Sequence, residues 1–466
     1  MTKKAATQKV AGPELLPAGD RRAAGKALRR HVPRESHSGW DAPRDRRDPI
    51  DILSASNDGR LPHLIPIRFG RMSQSPFAFY RGAAAIMAAD LASTPQSGLR
   101  VQACGDAHLM NFGGFATPER NVIFDINDLD ETLPAPWEWD VKRLSASVVI
   151  AARHLRLADS DAAKAAIATT CSYREKMANY ASMRVLDVWY DFIDVDRFIE
   201  SVEEEETGDH LQIEQAIERA KKKSTPEILF PRLAEHRGAL PVIKDEPPLI
   251  FHPTEEQARG VKTGYSEVLE RYRESLPEHI RVLIDRFRIR DFAFKAVGVG
   301  SVGTYCGIAL LTAADDDPIF LQIKEAKASV LEPYAGKSLY TNHGERVVAG
   351  QRLMQSASDI FLGWFRSLDG RDSYVRQLRD TKVSAVMEGW DFKTLRSYGK
   401  MCAWALARAH ARSGDAARIA GYMGSGSTFD EATGEFAMEY ADQNEEDYRS
   451  FVTAIREGRI EVNVEA

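Results

Sequence analysis

The sequence has few cysteines and no long hydrophobic run. Its four cysteines, Cys104, Cys171, Cys306 and Cys402, lie far apart and form no CxxC pair, which fits a reducing compartment and gives no support for disulfides or a zinc site. No run of 18 apolar residues occurs, and the amino terminus lacks the apolar segment of a signal peptide. We therefore expect a soluble, cytoplasmic protein without a membrane partner.

A strong excess of charge of either sign is also absent. The 466 residues include 62 Lys and Arg against 68 Asp and Glu, so the net charge is -6. This balance argues against a protein that mainly coats nucleic acid. The 44% of hydrophobic residues supplies ample core material, which excludes disorder of the whole chain and suffices for two or three domains or one two-lobed enzyme.

Composition and periodicity divide the chain into four parts. Residues 1–49 are rich in Lys and Arg with little apolar periodicity, which predicts a disordered basic tail or, alternatively, a docking arm for an acidic partner. Residues 50–289 and 386–466 carry mostly helical patterns and are assigned to one large lobe. Residues 290–385 hold short strands around a glycine turn and predict a small antiparallel lobe. The predicted fold class is therefore α+β with two lobes.

A polar loop between two short predicted strands carries the first half of a candidate site. Its sequence is GDAHLMN, and Asp125 ends the second strand, 14 residues after Asn111. Phosphoryl transfer needs a carboxylate that orients an attacking hydroxyl and accepts its proton, a role we assign to Asp106. It also needs oxygen ligands for magnesium, a role we assign to Asn111 and Asp125. Each residue taken alone has the alternative of a turn former or helix cap.

Neighbouring polar residues receive supporting roles in this interpretation. Asp128 and Asp130 add two carboxylates beside Asp125, or else cap the helix that follows. His108 helps to position the metal or the substrate, or only caps its own loop. These residues extend the candidate metal site without defining it.

A glycine turn in the small lobe supplies the second half of the candidate site. Gly298, Gly300 and Gly303 form the pattern GxGxxG, and a strand follows them, whereas a dinucleotide-binding turn needs a helix there. A glycine hairpin followed by a strand with a lysine is the arrangement of kinases, in which backbone amides cover the phosphates and the lysine contacts them. Lys324 is our candidate for that lysine, and its alternative is an exposed lysine on an edge strand.

The turn and the lysine imply two further nucleotide-site residues. Ser301 lies between the glycines and belongs to the same turn. A phosphate lysine usually pairs with a glutamate on the next helix, and Glu345, 21 residues after Lys324, is the first candidate, with Glu332 second.

The two halves stand in the reverse of the usual kinase order, because the glycine turn follows the polar loop. Either the fold is circularly permuted, or the true catalytic loop begins at Asp415, after the helix that ends LARAHARSGD. The position five residues after Asp415 is Ala420, and no hairpin with a further Asp follows. We therefore predict permutation, with Lys324 facing Asp125 across a cleft and Asp415 away from that cleft.

The polar loop and the strand after it resemble, through GDAHLMN and IFDIND, the catalytic and metal-binding segments of aminoglycoside phosphotransferases and choline kinases. Those enzymes belong to the protein-kinase-like superfamily. The resemblance implies a two-lobed kinase-like fold, a catalytic role for Asp106 and magnesium ligation by Asn111 and Asp125. It also gives Asp140 the role of the helix-start Asp that bonds the backbone of the catalytic loop. Cys104 departs from the pattern, since His often precedes Gly-Asp in the superfamily.

Longer stretches resemble the bacterial family known as domain of unknown function 2252. They include RFGRMSQSPFAFYRGAA, FDINDLDETLPAPWEWDVKRL and GQRLMQSASDIFLGW, and the resemblance covers nearly everything after the basic tail. That family is grouped with kinase-like folds, and the resemblance implies no particular substrate.

These features together predict an ATP- and Mg²⁺-dependent phosphotransferase. Its acceptor is an unidentified hydroxyl-bearing small molecule or protein. Two alternatives remain open, namely a nucleotide-binding regulatory module without turnover and a nucleotidyl (AMP) transferase on the same fold. We expect a nucleotide and the acceptor as partners, and no nucleic acid.

Overall fold

The computed structural model describes residues 16–194, 226–238, 240–252, 265–296, 298, 302–314, 317–378 and 383–464. Its helices, in chain order, are α1 (Ala18–Ala27), α2 (Pro49–Ala55), α3 (Ile65–Met72), α4 (Pro76–Gly82), α5 (Ala84–Leu91), α6 (Trp137–His154), α7 (Asp159–Tyr180), α8 (Val185–Tyr190), α9 (Pro226–Leu233), α10 (Tyr265–Glu274), α11 (Glu278–Ile284), α12 (Glu332–Ala335), α13 (His343–Met354), α14 (Phe392–Ser413), α15 (Ala416–Met423) and α16 (Thr428–Arg456). Within these described residues, no helix combines the length and the apolar character needed to span a membrane.

The strands are short, and their described pairings are all antiparallel. In chain order they are β1 (Arg100–Ala103), β2 (Phe112–Ala116), β3 (Val122–Ile126), β4 (Leu133–Pro136), β5 (Ile193–Asp194), β6 (Ala234–Arg237), β7 (Leu240–Ile243), β8 (Ile250–Phe251), β9 (Arg288–Lys295), β10 (Cys306–Thr312), β11 (Pro318–Glu325), β12 (Gly363–Arg366), β13 (Asp372–Gln377) and β14 (Val383–Ser384). The predicted α+β class with small antiparallel sheets is confirmed.

The largest sheet has six strands in the order β12-β13-β11-β10-β9-β8. Its strand β10, CGIALLT, is buried at every position because both faces of the sheet are covered. Ile308 and Leu310 pack on one face with residues of α9, and Ala309 and Leu311 pack on the other with residues of α10 and α11. The sheet thus forms its own compact core around β10 and β11.

The long helices pack around a second and larger core. Helix α7 contacts α14, α6 and α16, and the small residues of these helices allow close approach. Gly399 of α14 illustrates this, because a Cβ there would lie 2.4 Å from the Oγ1 of Thr169. Buried residues from α6 and from α14 to α16 belong to one hydrophobic cluster, so the carboxy-terminal helices return to the helices that follow β4.

Two small strand arrangements lie beside the helical core and carry the polar loops. Strand β1 pairs with β4, and β2 and β3 form a hairpin in the sheet β14-β2-β3-β5. Strand β14 follows the six-stranded sheet in the chain and pairs with β2, where a Cβ on Gly113 would lie 2.5 Å from the backbone oxygen of Val383. Glycine is required there because the two backbones come so close.

The prediction of a disordered tail over residues 1–49 is wrong for residues 16–49. Helix α1 packs on α15, and the Arg46 guanidinium lies between the buried carboxylates of Asp90 and Asp447, with Nε 2.8 Å from Asp90 and Nη2 2.6 Å from Asp447. His37 is fully buried, with its Nε2 2.7 Å from the hydroxyl of Tyr422. Several of the basic residues, such as Arg29, Arg34 and Arg46, therefore donate hydrogen bonds to the rest of the fold. Residues 1–15 lie outside the described part of the chain.

Candidate functional site

The loop between β1 and β2 is held in place by Asp140, near the start of α6. Its carboxylate accepts hydrogen bonds from the backbone N–H groups of Cys104 at 2.6 Å and Gly105 at 2.9 Å, and it lies 3.0 Å from Nε2 of His410. Gly105 has φ +82°, and a Cβ there would lie 2.5 Å from the backbone oxygen of Glu131. Asp140 and a required glycine thus fix the backbone of the polar loop.

Asp106 presents its carboxylate at the surface of this loop, with 21% of the side chain exposed. Arg143 of α6 donates to its Oδ1 through Nε, at 2.8 Å, and through Nη2. Burial alone would lower the pKa of Arg143, but Asp106 and Tyr80 outweigh that effect and raise it, so the guanidinium stays charged. Two donors of one guanidinium therefore hold one oxygen of the carboxylate.

His108 lies on the other side of Asp106, with its Nε2 3.8 Å from Oδ2 of the carboxylate. Burial lowers the pKa of His108 to about 4, so the imidazole is neutral at pH 7. Its Nδ1 is buried and has no hydrogen-bond partner among the described residues. His108 is therefore a neutral neighbour of Asp106.

Asn111 connects the polar loop to residues 127–132, which follow β3 and are called the acidic loop because they include Asp128, Asp130 and Glu131. Its Nδ2 donates to the backbone oxygens of Asp106 and Asp128, both at 3.0 Å. Its own backbone oxygen accepts a hydrogen bond from the N–H of Asn127 at 2.8 Å. The Asn111 side chain therefore joins the backbone of Asp106 to that of Asp128.

Lys324 extends from strand β11 of the six-stranded sheet to the acidic loop. Its Nζ lies 3.1 Å from Asp128 and 2.5 Å from Asp130, and the hydroxyl of Tyr374 donates to Asp130 at 2.6 Å. The Lys324 side chain is only 3% exposed, and β11 lies between β10 and β13. Lys324 is thus not an exposed lysine on an edge strand but a buried cation between two carboxylates.

The three charges shift one another's proton affinities. Burial alone would raise the pKa of Asp128, but the charges of Lys324 and Arg376 outweigh it and hold that pKa well below its usual range. Burial and the negative charge of Asp128 raise the pKa of Asp130. Burial alone would lower the pKa of Lys324, yet the two carboxylates raise it well above its usual range. The pair Asp128 and Lys324 is therefore fully charged at neutral pH.

Asp125, the predicted magnesium ligand, lies inside the protein with no exposed side-chain surface. Both of its oxygens accept hydrogen bonds from Nη2 of Arg408, at 2.8 and 2.7 Å. One oxygen also accepts from the N–H of Ile126, and the other from the N–H and hydroxyl of Ser356. Five hydrogen bonds leave no carboxylate position for a metal.

The expected contact between Lys324 and Asp125 is therefore corrected. Lys324 pairs with Asp128 and Asp130 instead, three and five positions later. Asp125 is within β3 and faces Arg408 on α14, whereas the other two carboxylates lie beyond the end of that strand. The acidic loop meets the six-stranded sheet, but through different residues.

The predicted glutamate partner of Lys324 is also corrected. Within the described part of the chain, Lys324 forms its ion pairs with aspartates and not with Glu345 or Glu332. Glu345 is half-buried in the first turn of α13. The next residue, Arg346, reaches the acidic loop and donates to the backbone oxygen of Asp130 at 2.8 Å. Helix α13 therefore contacts the site through Arg346.

The glycine turn is described only in part, since Gly300 and Ser301 lie outside the described residues. Gly298 is exposed, and Gly303 has φ +86°, a conformation that favours glycine. The backbone oxygen of Gly303 accepts a hydrogen bond from the N–H of Leu61 at 2.6 Å. The end of the turn is thus fixed against the segment that precedes α3.

Asp415, the start of the alternative catalytic loop, is a helix cap. Its Oδ1 accepts hydrogen bonds from the N–H groups of Ala417 and Arg418, both at 3.1 Å, and from Arg21 at 2.8 Å. These partners belong to α15 and α1, and none of them is part of the acidic loop. The residue therefore has a structural role at this point of the chain.

Four residues of the site have no role in the sequence interpretation. They are Arg143, which holds Asp106; Arg408, which holds Asp125; and Tyr374 and Arg376, which approach the acidic loop from β13. Arg143 follows Asp140 by three residues in WEWDVKRL. Residues at this spacing share one face of a helix, so the sequence could have placed Arg143 at the site. The other three come from distant segments and have no local signal.

The acidic loop offers the oxygen donors that a hard cation prefers. No group of three or more His, Cys, Asp or Glu side chains is arranged to hold a metal in the residues that the structure describes. Two carboxylates, Asp128 and Asp130, already share one cation, the ammonium of Lys324, and Asn111 lies next to them. This set fits magnesium, which binds proteins through one or two carboxylates together with substrate phosphates and water.

Comparison with known proteins places most of the chain in one family. A family model described as "Uncharacterized protein conserved in bacteria (DUF2252)" matches residues 60–454. No curated protein and no solved structure matches the chain. The match begins after α2 and ends within α16, so it includes every side chain of the site.

Proposed function

The chain belongs to the bacterial DUF2252 family, and from its own residues we propose that it is an ATP- and magnesium-dependent phosphotransferase with a circularly permuted, protein-kinase-like fold. One observation carries the proposal. Lys324, on the six-stranded sheet, pairs with the carboxylates of Asp128, 196 residues earlier in sequence, and Asp130. These carboxylates follow the loop of Asp106 and Asn111, so the two predicted half-sites meet.

The nucleotide half of the proposed site consists of Lys324 and the acidic loop. A buried ammonium between two carboxylates is prepared to exchange one of them for a phosphate, since all three are anionic oxygen acceptors. Asp128 and Asn111 would hold magnesium, with Asp130 next to them. The metal, when bound with the nucleotide, supplies neutralisation of phosphate charge. Asp125 has no part in this half because Arg408 and backbone donors occupy its oxygens.

The acceptor half of the proposed site is the carboxylate of Asp106. Arg143 holds Oδ1, whereas no described residue donates strongly to Oδ2, and the nearest nitrogen of His108 is 3.8 Å from it. Oδ2 is therefore the oxygen that would orient an acceptor hydroxyl and receive its proton. Asp140 positions this group by fixing the loop backbone at Gly105.

A nucleotide-binding regulatory module is the second candidate function. The observation in its favour is the ion pair of Asp106 with Arg143, in which two donors of the guanidinium hold one oxygen of the proposed catalytic carboxylate. In that case the protein would bind Mg-ATP without transferring a phosphoryl group.

Calorimetric titration with Mg-ATP tests the nucleotide half. We expect the wild type to bind and Lys324→Met to bind at least tenfold more weakly, because a charge-assisted phosphate contact is lost. Lys164→Met is the matched control, since Lys164 is 65% exposed on α7. Equal affinities for the wild type and Lys324→Met would contradict the proposal, provided that both variants keep their far-UV circular dichroism.

Labelled ATP distinguishes the candidate functions. The protein is incubated with Mg²⁺ and γ- or α-labelled ATP in the presence of fractionated bacterial metabolites and proteins. Transfer of the γ label supports a phosphotransferase, and transfer of the α label supports a nucleotidyl transferase. Binding of ATP without transfer of either label supports the regulatory module.

A further inference from the structure

A cavity of about 520 Å³ lies between α1, α7 and the end of α15, and none of the proposed active-site residues lines it. Its volume is in the range of small-molecule sites. It is bordered by a tight helix contact, because a Cβ on Gly25 would lie 2.0 Å from the backbone oxygen of Arg418 and one on Gly421 would lie 2.1 Å from that of Arg22. The cavity is therefore next to a close-packed joint of the two helices and does not reflect loose packing.

Most of the charged side chains that line this cavity are cationic. Arg22, Lys26, Arg29 and Arg174 contribute positive charge, and Glu175 is the carboxylate among the lining residues. The charge of Arg174 is neutralised by the buried carboxylate of Asp430, which lies 2.9 Å from its Nε. Within the part of the chain that the structure describes, Arg22, Lys26 and Arg29 form no ion pair.

Neutral oxygens satisfy the hydrogen bonds of these arginines without cancelling their charge. Arg29 donates to the backbone oxygens of Gly421 and Tyr422, both at 2.7 Å, and Arg22 donates to the hydroxyl of Ser182 at 2.8 Å. Lys26 is exposed and makes no hydrogen bond or ion pair with the described residues. The carbonyl end of a helix such as α15 carries only about half a negative charge, which is far less than the positive charge gathered here.

A second guanidinium increases this excess of positive charge. Arg34 donates to the backbone oxygen of Met423 at 2.9 Å, and both Arg29 and Arg34 lie against Gly424, where a Cβ would be 2.5 and 3.2 Å from their nitrogens. Burial and the charge of Arg34 lower the pKa of Arg29, and the nearby carboxylate of Glu35 only partly opposes this effect. Gly424, which has φ +77°, and Arg29 both line the cavity.

We propose that this cavity binds a phosphorylated small molecule, with Lys26 and Arg29 as the principal ligands of its phosphates. The bound anion would join α1 to α7 and α15 and so anchor the amino-terminal segment. Arg22, Lys26 and Arg29 precede residues 60–454, the range that matches the family model, so the part of the site on α1 and just after it lies outside that match. The site is independent of the proposed phosphotransferase activity.

Calorimetric titration with sodium pyrophosphate, at constant ionic strength and without divalent metal, tests this site. We expect saturable binding by the wild type and about tenfold weaker binding by Lys26→Gln, since one charge-assisted contact is removed. Arg30→Gln is the matched control, because Arg30 is exposed in the same segment and does not line the cavity. It should bind like the wild type.

Hydrogen exchange locates the bound anion. Pyrophosphate should slow amide exchange in residues 18–30 of the wild type and much less in Lys26→Gln. Three results would overturn the proposal: no saturable binding, equal affinity of Lys26→Gln and the wild type, or equal weakening in Lys26→Gln and Arg30→Gln. Binding at the Lys324 site would give the second result, because Lys26 is not part of that site. Lys26→Gln loses no contact with the described residues, so its unliganded melting temperature should equal that of the wild type.

Discussion

Replacing Asp125 by Asn tests whether its carboxylate is a structural group or a metal ligand. The substitution keeps the size of the side chain but removes the negative charge opposite Arg408, which has no exposed side-chain surface. A buried guanidinium without its counter-charge costs about 3–5 kcal/mol of the free energy of unfolding. The contact network supports a large value, because Asp125 accepts five hydrogen bonds and an amide has only one oxygen to accept them.

Two assays together report the outcome for Asp125→Asn. Urea unfolding followed by tryptophan fluorescence should show the loss of stability. Calorimetry at a temperature where the variant is folded should show an Mg-ATP affinity within about threefold of the wild type, because Asp128 and Asn111 are the proposed metal ligands.

The double variant Asp125→Asn, Arg408→Met tests whether the loss of stability comes from the unpaired charge of Arg408. Removing both charges should restore most of the stability, since a buried ion pair can be replaced by apolar groups at little cost. A stable Asp125→Asn variant that has lost Mg-ATP binding would show that Asp125 is a metal ligand and not a structural residue.

Three further substitutions test other parts of the structure. Asp106→Asn should keep Mg-ATP affinity and lower phosphoryl transfer by about 10²–10⁴-fold, measured with γ-labelled ATP, and normal turnover would make the residue structural. Burial raises the pKa of Glu131 to about 7, so the folded state binds a proton more tightly than the unfolded state, and stability should fall as the pH rises from about 4.5 to about 7. Urea titrations across this range should show a weaker pH dependence for Glu131→Gln, and an unchanged profile would contradict the assignment. Arg46→Ala should lower the free energy of unfolding by about 3 kcal/mol, because it leaves two buried carboxylates unpaired, whereas Arg44→Ala, at an exposed position, should change it by less than about 0.5 kcal/mol.

Local patterns predicted the elements that carry the site, and long-range pairing decided which residues meet there. Strand periodicity and the glycine turn predicted β9, β10 and β11, and burial of Lys324 follows from its position in β11. Spacing alone did not distinguish Asp125 from Asp128, because both follow the polar loop at a distance that suits a metal ligand. The difference is that one side chain meets an arginine of α14, and no local pattern encodes that contact.

For helix α13, the sequence likewise did not reveal which of two adjacent residues contacts the site. Successive residues on a helix point about 100° apart, so the choice between Glu345 and Arg346 depends on the rotation of the helix about its axis. The structure directs Arg346 to the backbone of the acidic loop. Composition did not predict the ordered amino-terminal segment. Basic residues that donate to backbone carbonyls, as Arg29 does, cannot be distinguished in the sequence from those of a solvated tail.

A crystal structure with a non-hydrolysable ATP analogue and Mn²⁺ would locate the proposed metal and nucleotide sites together. Manganese is located by its anomalous scattering and substitutes for magnesium at carboxylate sites. We expect a manganese peak bound by Asp128, with the ammonium of Lys324 on a phosphate of the analogue and the six-stranded sheet covering it. A manganese peak on Asp125, or an analogue bound away from Lys324, would contradict the account.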